Sequence, residues 1–376
     1  MKHLLFVLDY YLPHHGGIET VFEQVISRLL KKWYRITLLT SRFDKKLPVF
    51  EQEWNLAIYR VGTGRFSFLF AGFWKGLELL RRFPEIQNIH ASTYGSAIQS
   101  SLLWKLFHKR VILTVHEVFG KLWYLYKWVW KWFLYLSFER LLFCFSYDVY
   151  HCVSRYTMNS IRLLYWVSDK NIALVYNGID YDFWDPNLVK QSQINERKNT
   201  YNPLKKTMCL YYGHAGKSKG LDLLLQSIPN VIREDPDFLF VFNIIDSRRK
   251  SLLISRLHDL QKYWYKKHIH IFYGMDKVDL RTLVACTDAV VAPSLSEWFG
   301  SVHTEVVAMQ KPLITTFVAS IPEVVSGRVI FVPPASSESI AHALLSIKKN
   351  QSIFADTPTL SFYWDDTVSQ LSKLYN

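Results

Sequence analysis

Two successive series of short apolar, β-branched segments alternate with helical stretches, and one polar stretch divides them. A strand regularly followed by a helix returns parallel to its predecessor, and parallel sheets are stable only with helices covering both faces. The first series runs through "HLLFVL" (3–8), "RITLLT" (35–40), "LAIYRV" (56–61), "NIH" (88–90), "VILTVH" (111–116), "DVYHCV" (148–153) and "IALVYN" (172–177). The second runs through "MCLYYG" (208–213), "FLFVFNII" (238–245), "HIHIFYG" (268–274), "DAVVAP" (288–293), "PLIT" (312–315) and "RVIFV" (328–332). Each series predicts one doubly wound domain, and 376 residues are enough for two cores. The expected architecture is α/β, with two Rossmann-like domains facing each other across a central cleft. An N-terminal domain spans 1–187, a linker "LVKQSQINERKNTYNPLKK" 188–206, and a C-terminal domain 207–355. Residues 356–376 are expected to form a C-terminal helix that packs back on the N-terminal domain.

Lys and Arg exceed Asp and Glu by 13, which suggests an anionic partner: phosphate ligands, anionic lipid or nucleic acid. Cys144, Cys152, Cys209 and Cys286 form no CxxC pair, and the apolar run in "MKHLLFVLDYYLP" is too short for a signal peptide. Reduced thiols in a cytoplasmic protein are the expectation. No DxD stands at a strand end, and Asp365 with Asp366 lie in the C-terminal tail, so no metal site is expected.

The stretch "PSLSEWFGSVHTEVVAM" (293–309) reads as the exit of a buried strand, a turn and the start of a helix, with Glu297 and Glu305 on either side of Phe299, Gly300 and Ser301. Ligands of open α/β sheets bind outside the carboxyl ends of the strands, where amides at helix N-termini attract anions. Two acids at such a place would repel phosphate, so they hold something else or are solvated surface groups. In "GHAGKSKG" (213–220), Gly216-Lys217-Ser218 imitates the end of a P-loop, but Tyr211 stands where the first P-loop glycine is required. P-loop nucleotide hydrolysis is thereby excluded. In "GGIE" (16–19), Gly16 and Gly17 allow close backbone approach to a phosphate or a sugar, or mark an ordinary turn before a helix. His116 ends the strand "VILTVH".

These motifs together resemble the retaining nucleotide-sugar glycosyltransferases of family 4, which have the GT-B architecture. The resemblance covers nearly the whole chain: "GGIE", "HE" (116–117), "NGID" (177–180), "GHAGKSKG", and Glu297 followed after seven residues by Glu305. It implies that Glu305 accepts hydroxyl hydrogen bonds from the nucleotide's ribose and that Glu297 approaches the hydroxyls of the donor sugar. It implies further that the amides around Phe299, Gly300 and Ser301 receive the diphosphate, that Lys219 binds it, and that His116 contacts the donor sugar. Gly16 and Gly17 become candidates for the donor-facing rim. His214 stands where the family has arginine, with Lys217 a candidate to supply the missing charge. Gln310 and the pair Ala319-Ser320 stand where the family commonly has glycine. The family pattern implies metal-independent transfer with retention of configuration, a nucleotide-diphosphate sugar as substrate with no cofactor, a saccharide or lipid-linked acceptor, and no nucleic-acid partner. A degenerate member that binds a nucleotide sugar without transferring it is the alternative; retention of His116, Lys219, Glu297 and Glu305 argues for the enzyme.

The stretch 121–147 has twelve Trp, Tyr or Phe in twenty-seven residues, but Lys121, Lys127, Lys131, Glu139 and Arg140 interrupt it too often for a membrane span. Rings and lysines together fit a helix lying in an anionic bilayer interface, which would make the protein peripheral on the inner face of the cytoplasmic membrane. They equally fit a helix packed in the first domain or lining its acceptor side.

Overall fold

The computed structural model describes residues 1–14, 16–126, 129–245, 252–349, 355–357 and 360–376. The chain divides into two compact units, Met1–Gly178 with Phe362–Asn376, and Ile179–Ser361.

Among the described residues, the first unit holds strands β1 (His3–Leu8), β2 (Arg35–Ser41), β3 (Phe50–Glu53), β4 (Leu56–Val61), β5 (Asn88–Ser92), β6 (Arg110–Val115), β7 (Val149–Cys152) and β8 (Ile172–Leu174), in the order β3-β4-β2-β1-β5-β6-β7-β8. All pairs are parallel except β3 with β4. The whole of β1 is buried, as a central strand with helices on both faces requires. The order reverses about β1, so right-handed connections place the helix Gly17–Lys31 on one face. The helices Arg65–Arg82, Gly95–Phe107 and Val129–Cys144 go to the other. Strand β3 was not legible beforehand: "FEQE" is a short, charged edge segment with no apolar alternation.

The helix Trp364–Leu374 completes this unit. Trp364, Val368 and Leu371 enter the core beside Phe22 and Val25. Its last turn is tied down by a buried chain of hydrogen bonds. Tyr375 Oη lies 2.6 Å from His90 Nδ1, His90 Nε2 lies 2.6 Å from Thr114 Oγ1, Thr114 Oγ1 lies 2.9 Å from His151 Nδ1, and His151 Nε2 lies 2.9 Å from the Val175 carbonyl. The carbonyl only accepts, which orients the chain: each group donates toward Val175, and every link is satisfied with both histidines neutral. Burial lowers the pKa of both, that of His151 to about 4.

Among the described residues, the second unit holds β9 (Thr207–Gly213), β10 (Phe238–Ile244), β11 (Ile269–Tyr273), β12 (Ala289–Ala292), β13 (Leu313–Thr316), β14 (Gly327–Val332) and β15 (Ala355–Thr357) in the order β11-β10-β9-β12-β13-β14-β15. Only β15 is antiparallel. Residues 188–206, read from their polarity as a linker, hold the helix Gln191–Tyr201 within this unit. The helix lacks an apolar stripe and is held instead by polar contacts with the helix Lys277–Cys286. Arg197 pairs with Asp279 at 2.7 Å, and Cys286 Sγ lies 3.7 Å from the Ile194 carbonyl.

Candidate active site

In the second unit, three loops at the carboxyl edge of the sheet are laced together. The loop after β9 turns through Gly220, whose φ is +65° and where an added Cβ would stand 1.9 Å from the Pro293 carbonyl oxygen. Only glycine allows the helix Leu221–Glu234 to start this close to the end of β12. The Leu295 amide donates to the Ser218 carbonyl at 2.8 Å, closing the same two loops from the other side. This registration brings Lys219 Nζ to 2.7 Å from Glu297 Oε1, to which Ser294 Oγ also donates at 3.0 Å. Glu297 is buried, which disfavours its charge. The charges of Lys219 and His303 and the hydrogen bonds from Lys219 and Ser294 outweigh that burial and hold its carboxyl below the usual range. The third loop braces it, because Ser320 Oγ and the Ser320 amide donate to the Glu297 carbonyl at 3.1 and 3.3 Å. Ser320, a departure from the family pattern, thus holds the backbone of Glu297 in place.

Gly300 caps the helix Ser301–Ala308 with φ +76°, and an added Cβ would come within 2.8 Å of His303 Nδ1. His303 was not singled out from the sequence. It is fully buried, with Nε2 2.9 Å from Thr315 Oγ1 and 3.3 Å from the Ala292 carbonyl, and Nδ1 has no partner among the described residues. Burial lowers its pKa, Glu297 opposing. Its signal in the sequence was faint, a histidine on the inward side of a short apolar helix.

Glu305 lies one turn further along that helix. Tyr212 donates to its Oε2 at 3.0 Å. Burial pushes the carboxyl up to about 7, against the opposing Tyr212 hydrogen bond and the Lys277 charge. Tyr212 was also missed, since its place in β9 reads as an ordinary core aromatic. Phe299 is buried, whereas His214, Lys217 and Ser301 are exposed. The His214 carbonyl accepts from Tyr211 Oη at 2.9 Å, so the tyrosine that excludes a P-loop shapes the loop that replaces it. Gln310 and Ala319 have φ of +53° and +49°, the left-handed conformation in which glycine is unstrained.

The remaining expected residues lie in the first unit. Gly16 caps the helix Gly17–Lys31, and an added Cβ would meet Glu19 Oε2 at 2.4 Å, whereas Gly17 has open space at that position. His14 Nδ1 lies 3.1 Å from the other Glu19 oxygen. Asp9, just beyond β1, accepts from the Gly95 amide at 3.1 Å and sits 3.6 Å from Arg65 Nε. Burial raises its pKa, opposed by Arg65 and the amides of Gly95 and Ser96. His116 follows β6 and is buried. Its Nε2 has no partner among the described residues, and burial, with His151 adding to it, lowers its pKa to about 3.

The loop after His116 is organised by Glu139, a fully buried carboxylate in the aromatic stretch. It accepts from the Phe119 amide at 3.1 Å, the Gly120 amide at 2.7 Å, Trp123 Nε1 at 2.9 Å, Tyr94 Oη at 3.1 Å and Tyr165 Oη. Lys127 of this stretch lies outside the described residues.

Comparison with known proteins places the chain by family and fold. Residues 15–183 match the family described as Glycosyltransferase Family 4, and residues 192–358 match Glycosyl transferases group 1. The gpi3 subunit of phosphatidylinositol N-acetylglucosaminyltransferase from Schizosaccharomyces pombe is 22% identical over 390 residues, covering 98% of this chain and 79% of that protein. Sucrose-phosphate synthase from Thermosynechococcus elongatus superposes with a TM-score of 0.79 at 17% identity, covering 100% of this chain and 95% of the other. Anabaena HepE, solved in complex with UDP-glucose, superposes with a TM-score of 0.77 at 12% identity over 99% of this chain and 98% of its own. The chain belongs to the family 4 type of glycosyltransferases with the GT-B fold.

Proposed function

We propose that this glycosyltransferase is retaining and metal-independent, and takes its sugar from a nucleotide-diphosphate donor. Its acceptor is a saccharide or lipid-linked hydroxyl, in the synthesis of cell-surface polysaccharide or glycolipid. The observation that carries the reading is the pair Lys219–Glu297, a cation and an ionised carboxylate held at 2.7 Å by interlocked loops. Lys219 and the start of the helix Ser301–Ala308 suit the diphosphate. The carboxylates of Glu297 and Glu305 suit the hydroxyls of the sugar and of the ribose, because each oxygen can accept a hydroxyl proton. Lys217 on the exposed loop adds charge on the phosphate side, beside His214, which stands where the family has arginine. Gly16 and Gly17 form the rim that their family position implies. His116, kept neutral by burial, offers an unpartnered ring nitrogen to a donor-sugar hydroxyl.

In the reaction the bond between the anomeric carbon and the diphosphate oxygen breaks as the acceptor oxygen bonds to that carbon. The acceptor proton leaves with the nucleoside diphosphate. Protein cations and amides stabilise the charge that develops on the leaving group. HepE in complex with UDP-glucose supports the donor class, and the phosphatidylinositol N-acetylglucosaminyltransferase relative supports a lipid-linked acceptor. A cytoplasmic protein working peripherally on the inner face of the membrane fits such an acceptor.

The test offers the purified protein a panel of nucleotide sugars with membrane lipid extract and measures free nucleoside diphosphate. Donor-dependent release that is lost in Glu297→Gln is expected. Tight donor binding with no release under any acceptor would establish a binding protein instead.

A further inference from the structure

We propose that the exposed face formed by the helices Arg65–Arg82, Gly95–Phe107 and Val129–Cys144 is a docking surface for an anionic lipid bilayer, with Phe66, Phe70 and Trp74 as its inserted side chains. This rests on the peripheral-membrane reading above and gives it a specific surface, anchored on a helix outside the aromatic stretch 121–147.

The stripe follows from how the first of these helices packs. Gly72 and Gly76 face the helix Gly95–Phe107, where added Cβ atoms would come within 2.4 Å of Gln99 Oε1 and 2.5 Å of Leu103 Cδ1. Phe68 on the same side is fully buried. The two glycines lock the helix in this rotation, since any other face would hold the helices apart. Phe66, Phe70 and Trp74, spaced by four residues, then form one outward row and are 85%, 69% and 69% exposed. Leu102 and Leu106 on the next helix, and Trp130, Phe133 and Leu134 on the third, are exposed as well. Ser101 Oγ donates to the Ser146 carbonyl at 2.9 Å, which ties the middle helix to the segment that follows the third. Three large rings in one row are a standing hydrophobic cost in water, and this one runs along a layer that exposes further apolar side chains.

Charge selects the occupant. The sequences of the three helices contain seven basic residues, Arg65, Lys75, Arg81, Arg82, Lys105, Lys131 and Arg140, and two acidic ones. Glu78 is paired with Lys75 at 2.6 Å, and Glu139 is fully buried among its five donors. Arg65 faces Asp9 at 3.6 Å and Lys75 is taken by Glu78, so the charge offered to a partner comes from Arg81, Arg82, Lys105, Lys131 and Arg140. These helices therefore present cations and rings with no uncompensated carboxylate, a combination that suits anionic headgroups above and acyl chains below. No helix among the described residues is long and apolar enough to cross a membrane, which agrees with a surface that lies on the bilayer.

The test is flotation of the full chain with vesicles of phosphatidylcholine alone and of phosphatidylcholine mixed with phosphatidylglycerol. The parent should float with the mixed vesicles and be released by added salt. Phe66→Ser/Phe70→Ser/Trp74→Ser should lower its partition by about tenfold or more, while nucleoside diphosphate affinity and melting temperature stay at parental values. Equal flotation of parent and triple variant, with loss in Trp130→Ser/Phe133→Ser/Leu134→Ser, would overturn the proposed row and leave the membrane reading standing. A parent that floats with neither vesicle, or that binds only to an added protein partner, would overturn both. Where the triple variant fails to fold, a nitroxide on Phe70→Cys in a Cys144→Ser background decides the matter. A label below the phosphates supports the surface, and one that stays in water rejects it.

Discussion

Lys219 Nζ and Glu297 Oε1 stand 2.7 Å apart, and Ser294 Oγ reaches the same oxygen. The lysine keeps a buried carboxylate ionised, so the two residues cannot be altered independently. Lys219→Met should lower sugar transfer by about a hundredfold or more, the scale of losing one preorganised charge at a developing anion. It should also cost about 1–3 kcal/mol of stability, by leaving Glu297 without its cation. Lys219→Met/Glu297→Gln should recover most of the stability and none of the activity, as read by urea unfolding and product formation.

The Glu305 carboxyl, pushed up to about 7, should make nucleotide binding depend on pH near neutrality. A protonated acid is the poorer acceptor for two hydroxyls, so affinity should rise as pH climbs through about 7 and level off above it. Tyr212→Phe removes the hydrogen bond that favours ionisation and should move the midpoint upward. Calorimetry with nucleoside diphosphate reads this most directly in a His214→Arg background, where that loop position carries a fixed charge. A flat profile that Tyr212→Phe leaves unchanged would remove Glu305 from the ribose.

Glu139→Gln should destabilise the first unit. One carbonyl oxygen and an amide group replace two oxygens that serve five donors, so at least one buried N–H or O–H loses its acceptor, at about 1–3 kcal/mol each. Differential scanning calorimetry should show the lower transition. Nucleoside diphosphate affinity, for which the proposed function calls chiefly on the second unit, should not change.

His116 is neutral in the fold, with a pKa of about 3, and titrates near 6.5 when unfolded. A depressed folded pKa means that its contribution is fully present above about 6.5 and is lost as pH falls toward the folded value. Relative to His116→Asn, the parent should lose about 2 kcal/mol of stability between about pH 7.5 and about pH 5. Urea unfolding of both proteins at the two pH values gives the difference directly.

Gln310 closes the helix Ser301–Ala308 in the left-handed conformation, with its amide donating to Val307 and that of Lys311 to Val306. This is the Schellman arrangement, which favours glycine at the position of Gln310. Gln310→Gly should therefore stabilise the protein by about 0.5–1 kcal/mol, the relief of strain exceeding the added freedom of the unfolded chain. Thermal melts would show a small upward shift.

The periodicity of apolar segments by itself determined the two parallel-sheet units, and the family resemblance carried by "GHAGKSKG" and by Glu297 with Glu305 pointed to the loops of the candidate site. Those signals are local: a strand, its turn and the next helix are consecutive in the chain, so the residue pattern carries them. Tertiary structure alone decided the rest. Strands β3 and β15 exist because a neighbour offers a free edge. Glu139, which reads as one charge interrupting an aromatic helix, became a buried acceptor because Tyr94, Gly120, Trp123 and Tyr165 converge on it. Tyr212 and Glu305 tune one another across 93 positions, and Tyr375 orders His90 across 285. The outward turn of Phe66, Phe70 and Trp74 was settled by Gly72 and Gly76 fitting against a different helix. A desolvated charge or a packed face takes its character from whatever the fold brings against it, and composition along the chain holds no record of that neighbour.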